Sequence, residues 1–235
     1  MAAVKPDSDA HSLQLFAQPR QHLLGPAQLI ASKIAIDLKL LGIGVVSAVY
    51  GWVAMGSHPD AATYPIGVRL AWWVVATLVI ALAANLLNLL DLRPGRALKS
   101  YVVLVVPAAV LFGLAMVEQF AEYAEALGTG WLTADSVVTI AGLLVVMLGP
   151  VVAVWGADLG ERGMLGDAGS NAMGAIVGYL LAGALDLPTL AAVAVVLLAL
   201  NALSEKVSFS TLIERTPVLR QLDGLGRLRD EQDGG

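Results

Sequence analysis

The sequence predicts an all-α fold: a polytopic membrane helix bundle of about six transmembrane helices, with both termini in the cytoplasm. Three observations lead there. Of 235 residues, 57% are hydrophobic and 14% charged, against roughly 25% charged in an average soluble domain, and the mean hydropathy is +0.76. The apolar residues fall in blocks of about 17 to 25, the length a helix needs to cross a hydrocarbon core of roughly 30 Å. Lysine and arginine collect at alternate ends of those blocks, as they do when positive loops are retained on the cytoplasmic side.

The blocks predict spans at 34–56, 66–90, 98–117, 136–155, 171–187 and 188–203. Ahead of the first lies a polar tail, residues 1–33, with an interfacial segment. Its start is not a short charged stretch followed by an apolar core, so a cleaved signal peptide is not expected. Lys5, Arg20 and Lys33 precede the first span, Arg93, Arg96 and Lys99 follow the second, Arg162 follows the fourth, and Lys206, Arg215, Arg220, Arg227 and Arg229 follow the sixth. The opposite loops hold Arg69 with Asp60, Glu118, Glu122, Glu125, Asp135 and Asp186, and acids count little toward orientation. Trp52, Trp72, Trp73, Trp131 and Trp155 fall near span ends and are expected as headgroup anchors. In the fifth span Gly174-x-x-x-Gly178 lets a second helix approach closely, within the chain or in a homodimer. Residues 34–204 thus form one membrane domain. Residues 205–235 form a cytoplasmic amphipathic tail suited to an interfacial helix that Pro217 divides.

Composition also excludes chemistry. Without cysteine there is no disulfide, thiolate metal site or thiol nucleophile. The three histidines, at 11, 22 and 58, are too scattered for a cluster. With a net charge of −5 and its bases at span ends, nucleic acid is not an expected partner.

Two polar motifs remain. Asn85, Asn88 and Asp91 are spaced by three, so they share one face at the cytoplasmic end of the second span. An amide in hydrocarbon needs a partner or a wet cavity. The stripe therefore faces the bundle interior, either to bond between helices or to hold a ligand. Arg93-Pro94-Gly95-Arg96 follows, with two guanidinium groups suited to phosphate or simply obeying the orientation rule. The second motif, Gly166-Asp167-Ala168-Gly169-Ser170-Asn171, stands where a cytoplasmic loop enters the fifth span. Exposed N–H groups and the helix dipole favour an anion there, and Asp167 is placed to hold magnesium beside a pyrophosphate. The bland alternative is a helix cap.

Asn85-x-x-Asn88-x-x-Asp91 with Gly166-Asp167-Ala168-Gly169-Ser170 resembles the paired motifs of the polyprenyl-phosphate N-acetylhexosamine-1-phosphate transferases, which include the phospho-N-acetylmuramoyl-pentapeptide and undecaprenyl-phosphate GlcNAc-1-phosphate transferases. The run from Asn85 through Leu92-Arg93-Pro94-Gly95-Arg96 to Ala97, the run Glu161-Arg162-Gly163-Met164-Leu165-Gly166-Asp167-Ala168-Gly169, and the stretch from Leu203 to Ser210 are similar to a short branch of glycosyl transferase family four. The likeness covers most of the chain from about Lys33 onward.

The resemblance implies a bacterial inner-membrane enzyme of cell-wall or peptidoglycan biogenesis that moves a phospho-N-acetyl-amino-sugar from a UDP-sugar to undecaprenyl phosphate. It implies release of UMP and a need for Mg2+. Asp91 and Asp167 would be the catalytic and metal-binding carboxylates, with Asn85, Asn88, Arg93, Arg96, Gly166, Gly169, Ser170 and Arg215 binding substrate. The chain departs from the family in four ways, one of them being fewer spans than the roughly ten of the full enzymes. It has no Asp-Asp pair upstream, where Asp37 stands one turn from Lys33. It lacks the second Asp of the Asp-Gly-x-Asp-Gly turn, and it lacks the His-rich loop. These departures define the alternative, a catalytically silent homologue that binds polyprenyl phosphate or scaffolds envelope-synthesis partners. A small transporter fits less well, since the polar residues sit at helix ends and not near the midplane.

Overall fold

The computed structural model describes residues 26–58, 63–126, 128, 136–163, 165–207 and 209–225. Expectations for the tail before residue 26, for Asp60, Trp131, Asp135, Arg227 and Arg229, and for the side chains of Lys33 and Asp37, lie outside what is described. Contacts divide the chain into two units, Met1–Leu41 and Gly42–Gly235. The bundle is the second.

Six long helices follow one another: α1 (Pro26–Ser57), α2 (Ile66–Leu90), α3 (Arg96–Ala126), α4 (Ser136–Leu159), α5 (Gly166–Ala184) and α6 (Leu187–Lys206). Two short ones, α7 (Phe209–Arg215) and α8 (Pro217–Gly224), close the chain. Among the described residues there is no strand. The protein is a multi-pass helical membrane bundle. Four stretches are long and apolar enough to cross a bilayer, Ile66–Leu90, Arg96–Glu122, Ser136–Leu159 and Leu187–Ser204, and α1 adds a shorter apolar run, Leu41–Gly56.

The expected fifth span is α5, which is not among those four. Its 19 residues include Asp167 and five glycines along with Ser170 and Asn171, so it has no long continuous apolar stretch. Its position accounts for this. Met173, Gly174, Val177, Gly178, Leu180, Ala182 and Gly183 are all buried, because α5 packs on both α2 and α3 in the middle of the bundle. A helix enclosed by protein needs no continuous apolar coat.

The close approach depends on the two glycines read from the sequence. A Cβ on Gly178 would stand 2.6 Å from the Cα of Ile80, and one on Gly174 would strike the backbone of Ala83 and Ala84. The glycine pair therefore serves packing of α5 against α2 within the chain. Around this centre α6 lies on α2 and α4 on α3. Gly51 meets Thr77, and the indole of Trp73 donates to Ala48 O at 2.8 Å, which seats the second half of α1. One core cluster gathers Leu87, Leu98, Tyr101, Val105 and Val177, and another gathers Met55, Trp72, Val79, Ala182 and Leu190.

The outer surface is apolar. Val137, Val138, Val145, Val146 and Val152 of α4 are 63–76% exposed, an arrangement a water-soluble surface avoids and lipid chains satisfy.

α1 runs unbroken through residues 33 and 34. Three readings of the sequence need correction. α3 continues past 117 to Ala126, because glutamates 118, 122 and 125 end the apolar run but are good helix formers. α5 begins at Gly166 and not at 171, so the Gly166–Ser170 motif is itself the first helical turn. Trp72 is not an anchor. It is fully buried, with the His58 ring 4.0 Å and the Tyr64 ring 5.8 Å from its own. The break expected at Pro217 is present, as α8 starts there behind Thr216.

Candidate functional site

At one end of the bundle the loop between α2 and α3 meets the turn between α4 and α5. α2 stops at Asp91, whose backbone N–H returns to Asn88 O at 3.2 Å. Four residues later Gly95 takes φ +74°, a left-handed conformation that costs glycine nothing, and a Cβ there would strike Leu159. The N–H of Gly95 donates to Asp158 Oδ2 at 2.6 Å, and the N–H of Leu165 donates to Asp158 Oδ1 at 3.3 Å. Asp158 is 3% exposed. A buried carboxylate is tolerable only when its oxygens are bonded, and this one binds the two loops together through their backbones.

That junction brings Asp91 and Asp167 to the same place. Gly166, at φ +68°, turns the chain into α5, and its backbone N–H is near enough to the Asp91 carboxylate to favour the charged form. Burial raises the Asp91 pKa above the ordinary carboxylate range. The negative charge of Asp158 adds to this, the Gly166 N–H opposes it, and Asp167 pushes it up further. Asp167 is exposed in the first turn of α5. Behind it Ser170 Oγ, fully buried, lies 2.9 Å from Gly166 O and 3.1 Å from Asn88 Oδ1. The lower part of the asparagine stripe is thereby fixed to the second motif. Gly169 is a packing residue, since a Cβ would meet the Leu165 side chain at 2.7 Å.

Asn85 has a different partner. Its Nδ2 donates to Asn201 Oδ1 on α6 at 2.7 Å, and Asn201 Nδ2 donates in turn to Leu197 O at 2.8 Å and Leu82 O at 3.2 Å. This half of the stripe bonds between helices. The arginines are drawn to the C-terminal segment. Arg93 pairs with Glu214. Arg96, 3% exposed, grips Asp223 with two bonds, Nε to Oδ1 at 2.7 Å and Nη2 to Oδ2 at 3.0 Å, and gives Nη1 to Ser210 Oγ at 2.9 Å. Arg96 holds the Asp223 carboxyl below the ordinary range against the opposing effect of burial. Arg215 is exposed at the end of α7.

Among the described residues no three His, Cys, Asp or Glu side chains converge as a metal cage. The donors do fit a hard cation that keeps most of its shell as water and phosphate, which needs only one or two carboxylates. Asp91, at the C-terminal end of α2, feels the negative charge of Asp167 in the first turn of α5. On the same turn Asn171 donates through Nδ2 to Asp167 O at 2.6 Å, leaving its buried Oδ1 without a hydrogen-bond donor.

Three groups at this end were not singled out from the sequence: Asp158, Asn201 and the acid pair Glu214 and Asp223. A carboxylate inside the last turn of an apolar helix and an asparagine among leucines were available signals. Each is too costly in that setting to lack a partner. No family model, curated protein or solved structure matches the chain.

Proposed function

We propose that this is a magnesium-dependent membrane phosphoglycosyl transferase of the polyprenyl-phosphate N-acetylhexosamine-1-phosphate transferase type. It would act at the cytoplasmic face of a bacterial inner membrane. The observation that supports this most is that the segments carrying Asp91 and Asp167 are joined, by Asp158 accepting the N–H groups of Gly95 and Leu165 and by the Ser170 hydroxyl bonded to Asn88. In this reading an oxygen of undecaprenyl phosphate attacks the sugar-bearing phosphorus of a UDP-amino sugar. A new P–O bond forms, the bond to the UMP oxygen breaks, and UMP leaves.

Magnesium, when bound, supplies Lewis-acid stabilisation of the phosphoryl transition state. Asp167, being exposed, would hold it against the diphosphate. Asp91, with its raised pKa, would complete that grip or receive the lipid phosphate. Asn88 and Ser170 keep the two carboxylates in register, and Asn85 does so less directly, through α6. Gly166 contributes an N–H at the start of the central helix, where negative charge is favoured.

A second reading has its own support. Arg93 and Arg96, expected to offset phosphate charge, are held by Glu214 and Asp223, which suits a catalytically silent homologue that binds lipid phosphate or scaffolds envelope enzymes.

One assay separates the two. Purified protein with UDP-GlcNAc, undecaprenyl phosphate and Mg2+ is expected to release UMP, and Asp167→Asn is expected to abolish release. Because Asp167 is exposed, the variant should keep the wild-type melting temperature. A folded protein with no turnover on any of several UDP-sugars would leave the second reading standing.

A further inference from the structure

The C-terminal segment is held to the bundle by polar bonds more than by packing. No residue of α7 or α8 is buried, and an apolar cavity of about 530 Å3, lined by Val103, Trp155, Leu219 and Leu222 among others, separates the segment from the first turns of α3. What joins them is Arg93 with Glu214, the two bonds of Arg96 to Asp223 and its third to Ser210. Lys99 Nζ adds bonds to Asp223 O at 2.6 Å and Leu222 O at 3.2 Å.

Those same bonds decide what the two arginines can do. A carboxylate and a phosphate offer a guanidinium fork the same pair of oxygens, and Asp223 meets the fork of Arg96 as a phosphate would. The Arg96 side chain is 4% exposed, and the groups that take its donors, Ser210 and Asp223, both belong to the C-terminal segment. No phosphate reaches Arg96 while α8 is docked. Nor does α8 leave freely, because a guanidinium left buried without its carboxylate is strongly disfavoured. Exchange of the carboxylate for a phosphate oxygen avoids that state.

We propose that the α7–α8 segment is an autoinhibitory strap: Glu214 and Asp223 occupy Arg93 and Arg96 in place of phosphate, and a phosphate-bearing ligand binds there by displacing them. The inference rests on the phosphate role read for these two arginines, which the transferase and the silent lipid-phosphate binder share. It adds that the tail and the ligand compete for one pair of side chains, so that the site beside Asp91 is closed at rest and opened by what it binds.

The test uses the full chain in phosphatidylcholine nanodiscs. The sequence has no cysteine, so Leu219→Cys carries the only thiol, and a bimane attached there is quenched by Trp155 across the cavity that both residues line. Inorganic pyrophosphate, added at constant ionic strength and without Mg2+ so that the carboxylates of the site take no part, should relieve the quenching saturably. Trp155→Phe should abolish that response. By calorimetry Asp223→Asn should bind pyrophosphate about tenfold more tightly than wild type, the weight of one charged hydrogen bond that no longer competes. Glu214→Gln, at the exposed pair, should gain about threefold, and it decides alone if Asp223→Asn does not fold. Glu122→Gln, which removes the same charge from an exposed site at the far end of α3, should leave the affinity unchanged. Pyrophosphate that does not bind, that binds without relieving the quenching, or that binds the strap variants no better than Glu122→Gln would overturn the proposal. Turnover is not measured, so the outcome is separate from the UMP assay: UMP release with a strap that never leaves would keep the transferase and remove the strap.

Discussion

Asp158 shows how one side chain can determine the geometry of a site without being offered to a ligand. Its two oxygens accept the N–H groups of Gly95 and Leu165, so the segment after Asp91 and the segment before Asp167 are tied to one carboxylate. Hydrogen bonds to a charged group each contribute about 1.5–3 kcal/mol. Asp158→Ala is therefore expected to lower stability by about 3 kcal/mol, read as a fall in melting temperature in detergent, and Gly95→Ala by about 2 kcal/mol for its left-handed backbone and the contact with Leu159. Wild-type melting in both variants would mean that Asp158 does not tie the two segments together. Little of this was legible beforehand. Asn85, Asn88 and Asp91 announce themselves by helical spacing, whereas Asp158 has no partner in spacing, and its acceptors are backbone groups that no side-chain pattern reveals. The asparagines also turned out unlike one another. Asn88 reaches Ser170 and the second motif, and Asn85 reaches Asn201, a division that depends on which helix lies opposite.

Among the helices, α5 is the one on which the rest are arranged. Its glycines let it lie against α2 at backbone distance, and at such contacts the attraction in a membrane comes from packing and not from exclusion of water. Gly178→Leu must drive a side chain into the Ile80 backbone and is expected to cost about 3 kcal/mol. The same change at Gly142, on α4, where a Cβ meets nothing within 4 Å, should be close to neutral. Comparable losses at both positions would mean that α5 does not pack as described. The glycine pattern and the course of α2 were readable from the sequence because both are local. The beginning of α5 was not. Gly166 and Gly169 lie before the apolar run that marks the span, yet Gly166 supplies a left-handed turn and Gly169 gives room to Leu165 at the start of the helix. Hydropathy likewise places the end of a span but not the end of a helix, which is why α3 outruns its apolar stretch.

Across the bundle as a unit, the basic loops and the C-terminal segment are joined by charge pairs that link residues more than a hundred positions apart, a distance over which sequence pattern carries no pairing information. The most buried of these is Arg96 with Asp223, their side chains 4% and 9% exposed, and removing one partner of a buried pair costs about 3–5 kcal/mol. The pair also fixes a direction with pH. The Asp223 carboxyl titrates below its ordinary range in the folded chain, through its bonds to Arg96. The stabilisation is therefore complete above the unfolded-state value near about pH 4 and is lost only as pH falls through the lower folded value. Trp155 emission is expected to stay constant through neutral and mildly acid solution and to change below about pH 4, and Asp223→Asn should show the altered emission at every pH. A transition near pH 6 would contradict this account. Alternation of positive loops foretold that these segments share one end of the bundle, but not that the acids of the tail would engage the arginines.

Asp158 has one more consequence, for the depth of α4 in the bilayer. Along most of its length α4 is a valine-rich rod with few features to stop it sliding. One helical turn inward would carry a carboxylate about 5.4 Å into hydrocarbon, where it is strongly disfavoured, and one turn outward would strip it from both of its N–H donors. A single charged residue thus serves as a float line for a helix that is otherwise indifferent to its own height.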